Sequence, residues 1–187
     1  MVRTAHHWNW LDKKGKGILV KRTQYFSKIA ILQSLPDGEI STGRKLFEDL
    51  DTLNTVKDIG LEIKFYNICT SKEFIYVIFS LIAEAKKSEM IPILHIEAHG
   101  TPDRKGIVLA SGEVVTWKEL KDPLMQLNEA TKNNLIVVLA SCWGGYLMEI
   151  LTPVHKAKAP CWGLIGPSDK ITTECCLKTT KIFTKSY

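Results

Sequence analysis

Short β-branched apolar runs alternate with segments of helical periodicity from residue 28 onward, and no other feature narrows the possible folds as much. Ile29-Ala30-Ile31-Leu32 opens the series and stops at Pro36-Asp37-Gly38, a turn signal. Leu46, Phe47, Leu50 and Leu53 follow at helical spacing, with Thr42 as the expected cap. Leu61 to Tyr66 reads as a second strand, and Ser71 as the cap of a long apolar helix from Lys72 to Lys87. Ile91 to Ala98 is the third strand, where Pro92 is tolerable because the first residues of a strand need not donate to the ladder. Ile107-Val108-Leu109 and Val114-Val115 flank Ser111-Gly112 and predict a small hairpin. Thr116 is expected to cap a helix reaching Leu127, with Pro123 as a kink or break. Leu135-Ile136-Val137-Val138-Leu139-Ala140 is continuous and apolar, as a central strand buried on both faces should be. A helix is expected from Gly145 to Leu151, a fifth strand from Cys161 to Gly166, and a further helical segment from Asp169 into the tail.

Strand alternating with helix implies an α/β fold, with a mostly parallel central sheet covered by helices on both faces. Residues 1–27 stand apart. Trp8, Trp10 and Leu11 precede the basic turn Lys13-Lys14-Gly15-Lys16-Gly17, and Ile18-Leu19-Val20 follows, which suggests an N-terminal extension folded as a loose hairpin. Residues 28–187 then form one domain.

Composition removes several classes. Hydrophobic residues make up 45% of the chain and charged residues 24%, which is ordinary globular usage. No apolar run reaches the ~18 residues of a membrane span, and the first residues lack the apolar stretch of a secretory signal. The net charge of +5 is spread over many lysines, so it outlines no nucleic-acid footprint, and the basic turn reads as a solvated loop. The cysteines, Cys69, Cys142, Cys161, Cys175 and Cys176, are odd in number and include no CxxC pair. Reduced thiols in a cytoplasmic protein are expected.

In parallel sheets ligands bind beyond the carboxyl ends of the strands. The third strand ends in Ala98-His99-Gly100 and the fourth in Ala140-Ser141-Cys142-Trp143-Gly144-Gly145. If the two strands are neighbours, an imidazole and a thiol leave the same edge of the sheet. A thiolate is a nucleophile, and an imidazole can take the thiol proton and later protonate a leaving amine. The N–H groups of Gly100 and Cys142 could form an oxyanion hole. Gly144-Gly145 would let the chain turn into a helix whose dipole favours a thiolate.

Ile93-Leu94-His95-Ile96-Glu97-Ala98-His99-Gly100 and Val137-Val138-Leu139-Ala140-Ser141-Cys142-Trp143-Gly144-Gly145 together resemble the caspase-like cysteine peptidases, most closely the bacterial CHAT-type members. The separation of His99 from Cys142 is of the order of the ~50 residues found in caspases. The resemblance covers residues 28–187. It implies a three-layer sandwich, His99 as general acid and base, Cys142 as nucleophile, no cofactor, no metal, and a protein or peptide substrate. It also implies an effector under regulation by a partner chain or domain. Ala140 stands where many members carry Asp or Gln lining the pocket for the residue before the cleaved bond. Asp37 and Glu39, after the first strand, and Asp169, after the fifth, are therefore the other candidate substrate-binding residues; a carboxylate there would favour Lys or Arg. Equally, Asp37-Gly38 reads as a plain turn and Asp169 as a plain cap. The family's unit usually continues past a fifth strand, so a compact member, or a pocket completed by another chain or segment, is expected.

Two other readings stay open. An interaction domain without catalysis fits the same fold. His95, Glu97 and His99 alternate on one strand face and could serve a zinc-dependent hydrolase. However, the outer pair is ~13 Å apart on a regular strand, and the zinc deaminase signature Pro-Cys-x-x-Cys lacks its second cysteine after Pro160-Cys161. His95 by itself reads as a core or supporting histidine. Trp162 is expected in the core, and Trp143 and Trp117 are expected to pack in the ordinary way unless they line a cleft.

Overall fold

The computed structural model describes residues 2–11, 17–150 and 159–172. The basic turn at Lys13, Lys14 and Lys16, the end of the helix predicted to reach Leu151, the helical tail, Cys175 and Cys176 lie outside the described residues.

The fold is α/β: a mostly parallel sheet between helical layers. β1 (Val2–Leu11) and β2 (Gly17–Phe26) pair antiparallel as a separate two-stranded sheet. The main sheet begins at β3 (Lys28–Ser34), followed by α1 (Thr42–Lys57), β4 (Glu62–Asn67), α2 (Ser71–Ser88) and β5 (Pro92–Gly100). A short hairpin, β6 (Gly106–Val108) and β7 (Val114–Thr116), leads into α3 (Trp117–Ala130). Then come β8 (Ile136–Ala140), a 3₁₀ turn at Gly144–Tyr146, α4 (Leu147–Ile150) and β9 (Gly163–Ile165). Strands β4, β3, β5, β8 and β9 lie side by side in that order, all parallel. The tip of β5 also pairs antiparallel with β6, His99 opposite Val108 and Gly100 opposite Ile107.

Strand parity divides the two faces. Ala30, Leu32, Leu94, Ile96, Val137 and Leu139 point one way and are buried with Phe74, Ile78 and Leu81 of α2 and Leu120, Leu124 and Leu127 of α3. Their neighbours Ile29, Ile93, His95 and Val138 face the layer made by α1, whose buried residues are Thr42, Gly43 and Leu46.

The helix starts differ from the sequence expectation. Thr70 rather than Ser71 caps α2, and both α2 and α3 carry a full capping box, Thr70 with Glu73 and Thr116 with Glu119. Thr42 is not a cap: it is the first residue of α1, and Ser41 at the cap position makes no capping bond. Instead Gln33 Oε1, at the end of β3, accepts from Ser41 Oγ, Gly43 N and Arg44 N at 2.8, 3.0 and 3.2 Å. Pro123 does not break α3, which runs on to Ala130. The buried stripe Trp117, Leu120, Leu124 and Leu127 outweighs the one backbone bond a proline forfeits. Trp162, expected in the core, is 36% exposed because it precedes β9, the edge strand. Trp117 is in the core and Trp143 is buried. Among the described residues, no helix is long and apolar enough to cross a membrane.

Candidate active site

β5 and β8 are adjacent and in register, Glu97 opposite Ala140, so residues 99 and 142 leave the same edge of the sheet two positions later. Contact between the two ends is close. A Cβ on Gly100 would lie 2.0 Å from the Cys142 carbonyl oxygen and 3.1 Å from its Cβ. Only glycine fits there, which fixes the backbone of the His-Gly motif against that of the cysteine.

The chain after Cys142 turns sharply. Trp143, not the following glycines, adopts the left-handed conformation, with φ of 57°. That conformation costs a non-glycine residue on the order of 1 kcal/mol. It is held by the Trp143 N–H donating to the Asp169 carbonyl at 3.1 Å, with the Lys170 ammonium 5.6 Å and the Arg104 guanidinium 5.8 Å from the indole. Gly144 and Gly145 serve close approach instead: a Cβ on Gly144 would meet Leu139 Cβ at 2.7 Å, and one on Gly145 would meet the Pro167 carbonyl oxygen at 3.1 Å. Among the described residues the expected helix after the cysteine begins as a 3₁₀ turn, Gly144–Tyr146, and goes on as α4 from Leu147.

The sulfur has another donor. Ile171 N–H points at Cys142 Sγ at 3.5 Å, and the thiol faces the Ile171 carbonyl at 3.7 Å. His99 Nε2 lies 3.0 and 2.9 Å from the two carboxylate oxygens of Glu39. A carboxylate only accepts, so Nε2 carries a proton and donates it to Glu39. Among the described residues no hydrogen bond joins the imidazole to the thiol, and the Cys142 N–H has no acceptor.

Glu39 was expected to line a substrate pocket from the loop after the first strand, but the structure places it on His99. Sequence order gave no sign of that pairing, since the two are joined only by the path of the β3–α1 loop. Asp37 sits in an exposed turn. Asp169 gives its backbone carbonyl to Trp143 and its carboxylate to the Lys170 N–H at 2.8 Å. Neither residue is among the walls of the cavity beside β5 and β8. Ala140 is.

Below the strand ends, between the sheet and α1, is a cavity of about 350 Å³. Ala140, Glu97 and His95 are among its walls, as is Ile171, whose backbone touches the sulfur. Burial pushes the His95 imidazole down to about 4 and the Glu97 carboxyl up to about 7. Near neutrality His95 is therefore largely uncharged, while Glu97 is about half ionised. Cys161 is a core thiol, pushed up to about 11 by burial, and Cys69 is exposed. His95 and Glu97 face the cavity while His99 turns to Glu39, so the three do not share one point; among the described residues no three His, Cys, Asp or Glu side chains converge as metal ligands would.

The sequence matches no protein-family model and no curated protein.

Proposed function

We propose that the chain is a caspase-like cysteine endopeptidase, cytoplasmic and active on a protein substrate. The observation that supports this most is the fit of Gly100 against the Cys142 carbonyl, which brings the His-Gly and Ser-Cys motifs to one rim of the sheet.

Glu39 orients the His99 imidazole by accepting from its Nε2–H, so that Nδ1 is the base. Nδ1 takes the Cys142 thiol proton as Sγ bonds to the scissile carbonyl carbon. The resulting oxyanion is received by the Cys142 N–H, with Gly100 beside it. Collapse breaks the C–N bond, and the imidazolium proton passes to the leaving amine. Water then attacks the thioester with His99 again as base, releasing the acid and restoring the thiol.

The sulfur rests against the Ile171 backbone, a contact through which a partner chain or domain would regulate the enzyme. An acyloxymethyl ketone peptide should label the wild-type protein and leave both Cys142→Ala and His99→Ala unlabelled. Turnover by wild type should exceed that of either variant by at least about 1,000-fold. Biological activity retained in full by both variants would replace this reading with that of an interaction module.

A further inference from the structure

Glu97 is 4% exposed, yet its carboxyl has no hydrogen bond or ion pair among the described residues. A buried carboxyl without a partner is rare and calls for a reason. Its immediate surroundings explain how the partner was lost. Oε2 packs against Gly43 in the first turn of α1, where a Cβ would come within 2.5 Å. The two amides it could have used there, of Gly43 and Arg44, both donate to Gln33. The carboxyl is thus accommodated beside the helix start but not satisfied by it.

It lines a cavity whose other walls are mainly apolar, with Ile29, Leu46, Leu50, Ile93, Val138 and Ile165 among them. Opposite Glu97 in register is Ala140, whose small side chain leaves the space in front of the carboxyl open. His95, the other titratable group on the wall, stays neutral and neither satisfies nor screens it. The cavity also adjoins the rim. Glu97 precedes His99 by two residues, Ala140 precedes Cys142 by two, and Ile171 is shared by the wall and the sulfur.

We infer that this cavity is a specificity pocket for an aliphatic side chain ending in a cation, that of lysine or arginine, with Glu97 as the residue that pairs its charge. This rests on the peptidase reading for the role of the guest, which would be the residue on the amino side of the cleaved bond. Apolar walls suit the methylene stem, and the lone carboxyl suits the ammonium or guanidinium tip. An acidic guest would meet like charge. A norleucine side chain would fill the same space and leave the carboxyl unpaired.

Two experiments test it. Peptides differing only in lysine, arginine, norleucine, glutamine or glutamate before the scissile bond should be cleaved by wild type with kcat/KM at least about 100-fold higher for lysine or arginine than for norleucine. In Glu97→Gln that ratio should fall below about 5-fold; an unchanged ratio, or a wild-type preference for any other side chain, overturns the inference. The lysine and arginine arms show which cation the pocket takes. Separately, n-hexylamine titrated into Cys142→Ala should shift the methyl resonances of the cavity isoleucines and leucines, n-hexanol at least 10-fold more weakly, and the double variant Cys142→Ala, Glu97→Gln should respond to the two alike. Amine selectivity in a protein that cleaves no peptide would end the peptidase reading and leave the cation pocket standing. Equal response to amine and alcohol in Cys142→Ala would end the pocket.

Discussion

The two faces of the sheet use the same strands and came out differently. On one, α2 and α3 cover Ala30, Leu32, Leu94, Ile96, Val137 and Leu139, all nearly inaccessible. On the other, α1 alone buries a single large apolar residue, Leu46, and leaves a cavity walled by half-buried Ile29, Ile93, His95 and Val138. The contrast follows from the amount of apolar side chain each helical layer brings. Where two helices interdigitate with the strands, a buried charge such as that of Lys28 is ion-paired, with Glu84 of α2 and Glu62 of β4. Where one sparsely apolar helix covers the sheet, a carboxyl and an imidazole persist, and the proposed reaction site opens on the same side.

Three measurements would sharpen or break that contrast. The largest effect is expected on the filled face. Leu94→Ala should cost about 2–5 kcal/mol in chemical denaturation, because the hole cannot collapse. Val138→Ala, on the cavity side, should cost roughly 1 kcal/mol or less, because space already lies beside it. Similar losses at both would mean the α1 face is as tightly packed as the other.

Next comes the pH dependence of the polar pair. Glu97 is raised from 4.5 to about 7, so the native state holds its proton more tightly than the unfolded chain does. Its contribution is complete below about pH 4.5 and lost as pH rises through 7. His95 is lowered from 6.5 to about 4, so its contribution is complete above pH 6.5 and lost as pH falls through 4. The windows overlap with opposite slopes, so the pair leaves wild-type stability nearly flat between them. Glu97→Gln should become more stable with rising pH across that range, and His95→Gln less stable. Each change is on the order of 3 kcal/mol over its full window. Urea denaturation at a series of pH values reads both signs, and parallel profiles for the two variants would show that neither group is buried as described.

The smallest effect concerns how the helices start. Gln33→Ala should cost about 1–2 kcal/mol and speed amide exchange in the first turn of α1. Thr116→Ala should cost about 1 kcal/mol and affect α3 alone. Unchanged exchange at Gly43 and Arg44 in Gln33→Ala would show that α1 needs no support from β3.

These cases also mark how far the sequence could be read. The α/β alternation, the parallel strands and the capping of α3 at Thr116 depend on residues within a few positions of one another, and were legible. The same is true of the shared edge for His99 and Cys142, because two neighbouring parallel strands of fixed parity leave little choice. Glu97 carried a usable signal as well: its two-residue spacing from His99 puts it on that side chain's face, although nothing in the sequence revealed the cavity in front of it. Trp143 as the left-handed residue ran against the local preference that pointed to Gly144-Gly145, and the bond to the Asp169 carbonyl explains why.

By itself, then, the sequence determined which segments are strands and helices and which edge carries the imidazole and the thiol, since periodicity, caps and strand parity act over a few residues. Only the tertiary structure decided that Gln33 caps α1, that Glu39 holds His99, that Ile171 meets the sulfur and that Glu97 has no partner among the described residues. Each of those depends on where a loop or a distant strand end comes to rest, and that position is set by the packing of the whole domain.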